Sequence, residues 1–97
     1  MAKLEYDLDG EHQVFELTQR CINIGRDNGN DLQFAKDSEL SRKHCSIVRH
    51  DGDFLLRDDS SVNGTFLNEL PVEVAAPKQL NDGDEIRIGK TYLTFKK

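Results

Sequence analysis

The chain has 97 residues, an apolar share of 36% and a charged share of 32%. This length fits one ordinary domain, and apolar residues recur throughout, so we expect a single folded domain over residues 1–97 with a thin core. Thirteen Lys and Arg against eighteen Asp and Glu give a net charge of −5, which argues against general affinity for nucleic acid or anionic membranes. The chain lacks a long apolar stretch, and its first ten residues carry charges, so we expect a cytoplasmic location.

The cysteines and acidic residues predict no metal or cofactor. Cys21 and Cys45 are too few for a disulfide scaffold and lie in no metal-binding spacing, which predicts two buried, reduced thiols. The acidic run that starts at Asp27 superficially resembles a calcium loop. Its sixth position is Leu32 instead of Gly and its twelfth is Ser38 instead of Glu, which excludes that reading.

Apolar residues alternate with polar ones along most of the chain. Leu4, Tyr6 and Leu8 follow this period of two, as do Ile22 and Ile24, and the period is typical of half-buried strands. Turn signals such as Asn-Gly and Asp-Gly separate the segments, and no window has a helical period, so the pattern predicts an all-β sandwich or barrel. In chain order we predict strands at 2–8, 12–18, 20–25, 31–34, 44–50, 53–58, 64–67, 70–74, 84–88 and 91–96.

Three connections depart from simple hairpins and concentrate Arg, Ser, Lys, His and Asn: residues 26–30, 35–43 and 59–63. Loops on a rigid scaffold often carry binding residues. The first connection begins at Gly25-Arg26, where the glycine can turn the backbone and the arginine can project from the strand end. Taken alone, this pair is more typical of an ordinary turn with a solvated charge than of a binding site.

The second connection ends in Ser41-Arg42-Lys43-His44, a candidate anion site. A hydroxyl, a guanidinium and an ammonium on successive residues can surround a phosphate, although a serine turn on a basic surface has the same residues. His44 is expected to be buried, with both ring nitrogens bonded to backbone. A catalytic triad of Ser41, His44 and Asp58 is disfavoured, because a thin sandwich offers little concavity for a substrate.

The third connection leads into Asn63-Gly64, the strongest short signal for a hairpin. A hairpin needs nothing functional from Asn63. An asparagine at a loop tip can nevertheless hold an extended peptide, because its amide both donates to and accepts from a backbone.

Together these motifs, from about Ile22 to Phe95, resemble the forkhead-associated (FHA) domain family. The resemblance implies a β-sandwich of two twisted, mostly antiparallel sheets with about eleven short strands, whose loops at one end bind phosphothreonine in an extended peptide. In such a domain Arg26 and Ser41 contact the phosphate, Arg42 and Lys43 support it from the same loop, and Asn63 holds the peptide backbone. The residues that would shape the loops are Gly25, His44, Gly64, Thr65 and Asn68.

Val62 occupies a sixth position that the resemblance assigns to phosphopeptide binding, and it departs from the family pattern. Many members carry Ser or Thr before the Asn-Gly pair, and that hydroxyl adds a phosphate contact. Its loss would remove a hydrogen bond of about 1.5 to 3 kcal/mol, unless Ser60, Ser61 or Lys43 substitutes. We therefore expect phosphothreonine binding that is weaker than is typical of the family.

The resemblance implies a non-catalytic module that reads phosphothreonine in partner proteins, in signalling by Ser/Thr kinases. The partner would be a kinase or its substrate, with no nucleic acid, membrane or cofactor involved. The alternative is a phosphate-independent interaction or dimerisation domain on the same fold, which the valine at position 62 favours slightly. A Ser/His hydrolase is the third and weakest hypothesis.

Overall fold

The computed structural model describes residues 1–97 and consists of eleven strands without a helix. Its strands are β1 (Lys3–Leu8), β2 (Glu11–Glu16), β3 (Cys21–Gly25), β4 (Leu32–Gln33), β5 (Cys45–His50), β6 (Asp53–Asp58), β7 (Thr65–Leu67), β8 (Leu70–Pro71), β9 (Lys78–Gln79), β10 (Glu85–Ile88) and β11 (Thr91–Lys96). It contains no helix that is long and apolar enough to cross a membrane.

The strands form two sheets. One has six strands in the order β2-β1-β11-β10-β7-β8, and the other has five in the order β4-β3-β5-β6-β9. Every neighbouring pair is antiparallel except β3 and β4, which are parallel. The predicted all-β sandwich of two mostly antiparallel sheets is therefore confirmed.

The main difference from the predicted strands is β9. Its residues Lys78 and Gln79 are both exposed, and they pair with Leu56 and Leu55 of β6 at the sheet edge. A two-residue exposed strand has no alternation of apolar and polar side chains, so its sequence carries no strand signal. The predicted strands at 31–34 and 70–74 are each only two residues long in the structure.

The core lies between the two sheets and follows the predicted alternation. Leu4 of β1 and Phe95 of β11 face it from the larger sheet, and Ile24 of β3 and Leu56 of β6 face it from the smaller one, all with no exposed surface. Only 24 of the 97 residues are buried, which confirms that the core is thin. Each sheet contributes one apolar face, as a two-layer sandwich requires.

Three loops come together at one end of the sandwich: the β3–β4 loop (residues 26–31), the β4–β5 loop (34–44) and the β6–β7 loop (59–64). The Arg26 amide donates to the Ser41 carbonyl at 3.1 Å, and the Val62 amide donates to the Ser41 hydroxyl at 2.9 Å. Ser41 thus connects the central loop to both of its neighbours.

The two cysteines differ in environment. Cys45 is buried, whereas Cys21 is partly exposed, so the prediction of two buried thiols was wrong for Cys21. β3 lies between β4 and β5, and Cys21 occupies its first position, where the sheet gives incomplete cover. Burial raises the pKa of the Cys45 thiol, and the carboxylates of Asp59 and Asp58 raise it further.

We predict that the native protein takes up one equivalent of iodoacetamide near neutral pH, at Cys21. Cys45 should react only after unfolding, because its thiol is buried and protonated and the thiolate is the reactive form. Mass spectrometry of the native protein and of the Cys21→Ser variant measures this. Rapid labelling of native Cys21→Ser would contradict the prediction.

Candidate functional site

Gly25 ends β3 and lies directly against the β4–β5 loop. A β-carbon at this position would overlap the carbonyl oxygen of Arg42 and lie 2.9 Å from Nδ2 of Asn30. Gly25 is not among the residues with positive φ, so a left-handed backbone conformation is not the reason for a glycine here. The glycine is required because two loop backbones approach each other closely.

Arg26 is held by backbone groups of the β4–β5 loop. Besides its amide bond to Ser41, its Nε donates to the carbonyl of Leu40 at 3.1 Å. The two terminal guanidinium nitrogens make no hydrogen bond within the protein, and Arg26 forms no ion pair. The side chain is thus oriented at Nε, while its terminal donors stay available to a ligand.

His44 bridges the β4–β5 and β6–β7 loops through a fully buried ring. Its Nδ1 accepts from the Ser41 amide at 3.0 Å, so Nε2 carries the proton and donates to the Gly64 carbonyl at 2.8 Å. This is the arrangement that the sequence analysis expected for His44. Neither ring nitrogen is left to take a proton from the Ser41 hydroxyl, which argues against the triad.

The hydroxyl of Ser41 faces the space between the loops. Its oxygen accepts from the Val62 amide at 2.9 Å, which leaves its proton free to donate to a ligand. Arg42 and Lys43 follow with exposed side chains that form no ion pair in the protein. Three unpaired cationic side chains therefore border one hydroxyl donor.

Asp58 holds the β6–β7 loop in place from the interior of the domain. Its buried carboxylate accepts from the amide and hydroxyl of Ser61 and from the hydroxyl of Thr65, the last at 2.7 Å. The Ser61 oxygen in turn accepts from the Gly64 amide at 2.9 Å. In the sequence, Asp58 was a candidate only for the disfavoured triad. Its spacing of three residues before Ser61, typical of a carboxylate that caps a turn, was the available signal.

Asp37 is a second buried carboxylate that the sequence analysis missed. It accepts from the Glu39 amide at 3.0 Å within its own loop, from the Lys90 amide at 2.8 Å in the β10–β11 turn, and from the Thr91 hydroxyl at 2.7 Å at the start of β11. Lys90 and Thr91 lie 53 and 54 positions after Asp37 in the sequence. No local sequence pattern indicates a pairing at that separation.

Asn63 and Asn68 have different positions in the fold. Asn63 donates one amide hydrogen to the Glu39 carbonyl at 2.8 Å and keeps its oxygen and second hydrogen free. Asn68 lies in the β7–β8 turn with φ of 50°, where it bonds to Asp84 and to the amide of Glu85. Asn68 therefore shapes the β7–β8 turn, and it does not belong to the surface groove that Asn63 lines.

The predicted binding residues surround one open groove of about 530 Å³. All six of them line it, including Val62, whose side chain is 86% exposed. Glu39 is the only acidic residue among the lining residues. The complete lining consists of Arg26, Ser38, Glu39, Leu40, Ser41, Arg42, Lys43, Ser60, Val62 and Asn63.

Comparisons with known proteins identify the class. The family model described as FHA domain matches residues 22–89. The glycogen accumulation regulator GarA of Mycolicibacterium smegmatis is 38% identical over 81 residues, which cover 84% of this chain and 49% of GarA. The chain belongs to the FHA domain family. It thus spans about half the length of that curated relative.

Solved FHA domains have the same fold. One, from work on phosphothreonine-dependent FHA domain interactions, is 32% identical with a TM-score of 0.87, covering 99% of this chain and 95% of the other. The N-terminal FHA domain of S. cerevisiae Rad53p, in complex with a phosphothreonine peptide, is 27% identical with a TM-score of 0.85. That alignment covers 98% of this chain and 91% of the Rad53p domain.

We predict that Gly25→Ala lowers the free energy of unfolding by about 1 to 3 kcal/mol, because the new methyl must displace the Arg42 carbonyl. Gly29→Ala is the matched control, since a β-carbon there has no atom within 4 Å. Denaturant unfolding of the two variants measures the difference. Equal stability of both variants would contradict the close approach at Gly25.

We predict that His44→Ala destabilises the domain by about 3 kcal/mol, because it leaves a cavity and removes the partners of two backbone groups. His50→Ala, at an exposed position, should change stability by less than about 0.5 kcal/mol. The same unfolding measurement checks both. A His44→Ala variant as stable as His50→Ala would show that the bridge contributes little.

Proposed function

We propose that this FHA domain is a non-catalytic module that binds phosphothreonine in extended segments of partner proteins. The observation that carries the proposal is the convergence of Arg26, Ser41, Arg42 and Lys43 on one groove with their donors free. A phosphate monoester has a charge of about −1.5 to −2 and three acceptor oxygens, so it needs several donors at once. The protein offers these donors without first breaking an internal ion pair.

Each residue has a separate role in this proposal. The terminal guanidinium nitrogens of Arg26 and the hydroxyl of Ser41 bind the phosphate, and Arg42 and Lys43 support it from the β4–β5 loop. Asn63 uses its free amide oxygen and hydrogen to hold the peptide backbone beside the phosphothreonine. Gly25, His44, Gly64 and Thr65 act indirectly, because they keep the loops in place.

The similar proteins support the type of ligand. The Rad53p FHA domain is solved with a phosphothreonine peptide, and the other solved neighbour comes from work on phosphothreonine-dependent interactions. We extend this chemistry to the present chain, with a Ser/Thr kinase or its substrate as partner. The net charge of −5 argues against nucleic acid or an anionic membrane as the partner.

The phosphate-independent alternative has one specific observation in its favour. Val62 exposes 86% of its side chain at the groove, where an apolar group offers nothing to a phosphate. An interaction domain that uses apolar contacts would bind its partner regardless of phosphorylation. The comparison of phosphorylated and unphosphorylated peptides therefore separates the two functions.

We predict that the domain binds a degenerate peptide library with one fixed phosphothreonine, and binds the unphosphorylated library at least about a hundredfold more weakly. Fluorescence polarisation at moderate salt measures both affinities. Arg26→Ala should reduce binding of the phosphorylated library by at least about tenfold, because it removes charge-assisted hydrogen bonds to the phosphate.

The matched control is Arg20→Ala, which removes the same charge at an exposed position before the start of β3, away from the groove. It should leave affinity nearly unchanged. Thermal unfolding of both variants verifies that they fold. Equal affinity for the two libraries would overturn phosphothreonine recognition and support the alternative.

A further inference from the structure

The groove lacks a side-chain hydroxyl at position 62. Val62 contributes its amide, which donates to Ser41 Oγ at 2.9 Å, and an apolar side chain that points into solvent. The β6–β7 loop nevertheless contains two serines, Ser60 and Ser61, immediately before the valine. Either could supply a donor to a phosphate bound between the loops.

Ser61 is already committed to the interior of its loop. Its hydroxyl donates to the buried carboxylate of Asp58, and its oxygen accepts from the amide of Gly64. A hydroxyl has one hydrogen, so donating to a ligand would leave Asp58 with one fewer partner. Ser61 is therefore a structural residue.

Ser60 is in the opposite situation. Its side chain is exposed, lines the groove and forms no hydrogen bond within the protein. Its φ is 60°, in the left-handed region that favours glycine. The Ser60 side chain forms no intramolecular hydrogen bond that would offset the backbone cost, which is consistent with a role toward a ligand.

Ser38 is the other serine of the lining whose hydroxyl forms no hydrogen bond within the protein, and its surroundings are less suited to an anion. It precedes Glu39, the only acidic residue of the groove. Ser60 instead lies two positions before Val62, whose amide contacts the Ser41 hydroxyl. Ser60 is therefore on the loop segment that adjoins the proposed phosphate ligand Ser41.

We propose that the hydroxyl of Ser60 donates a hydrogen bond to the phosphate and replaces the side-chain donor that position 62 lacks. This inference rests on the proposed phosphothreonine binding. Ser60 is thus a further binding residue, and the groove retains a full set of donors from all three loops. Binding need not be weaker than in a domain with a hydroxyl at position 62.

The test compares the wild type, Ser60→Ala and Ser60→Gly for binding of the phosphothreonine library. Both variants should bind about tenfold more weakly, since each loses a hydrogen bond to a charged group. Alanine keeps the β-carbon, and glycine relieves the positive φ, so a loss shared by both comes from the hydroxyl. Ser38→Ala, the matched control in the same groove, should bind within twofold of the wild type.

The Val62→Ser substitution distinguishes a phosphate contact of Ser60 from a structural role. A hydroxyl added at position 62 should restore peptide binding only if the Ser60 variants have lost a donor to the phosphate. In the Ser60→Gly background it should restore most of the tenfold loss, whereas in the wild type it should add less than threefold. Unchanged binding by both Ser60 variants, or a tenfold gain for Val62→Ser in the wild type, would overturn the role of Ser60.

If only the role of Ser60 fails, the preference for the phosphorylated library and the effect of Arg26→Ala persist, so the proposed function stands. Equal binding of phosphorylated and unphosphorylated libraries by the wild type would instead overturn both.

Discussion

The hydrogen bonds of the buried His44 ring fix the relative position of the two loops that carry most of the groove. The ring accepts a hydrogen bond from the Ser41 amide and donates one to the Gly64 carbonyl. With the loops held at this distance, the Val62 backbone amide donates to Ser41 Oγ, and the Asn63 side-chain amide donates to the Glu39 carbonyl. A neutral imidazole suits this task, because one nitrogen accepts and the other donates without placing a charge in the core.

Acidic and basic side chains have different tasks around the groove. Asp37 and Asp58 are buried, and each accepts three hydrogen bonds that tie a loop to the sandwich. Arg26, Arg42 and Lys43 form no ion pairs and border the opening. This arrangement explains how a protein with a net charge of −5 has a local cationic site. The geometry of these cations, and not the overall charge, must select an anion.

Much of the fold was predictable because burial alternates along the strands. Leu4, Ile24 and Phe95 point into the core, and the turn signals delimit their strands, so the sandwich follows from local patterns. The exposed β9 and the contact between Asp37 and Thr91 were not predictable, because both depend on pairing between distant segments. The loop motifs of the sequence indicated which residues would lie near one another, and in the structure they line one groove. Position 25 requires glycine because the Arg42 carbonyl approaches it closely, and this approach depends on how two loops pack, which the local sequence does not indicate.

The site separates the residues that hold the loops from those that face the ligand. His44, Asp58 and Thr65 are buried and hydrogen-bonded within the protein, whereas the side chains of Arg42 and Lys43 are exposed and form no hydrogen bond or ion pair within it. These internal hydrogen bonds hold the loops in place without a ligand. Binding of a peptide would therefore have to order few side chains of the domain and little of its backbone, which lowers the entropic cost of binding. Changes to the exposed set can therefore tune affinity and sequence preference at little expense in stability. Changes to the buried set act on folding first and on binding only through the geometry of the loops.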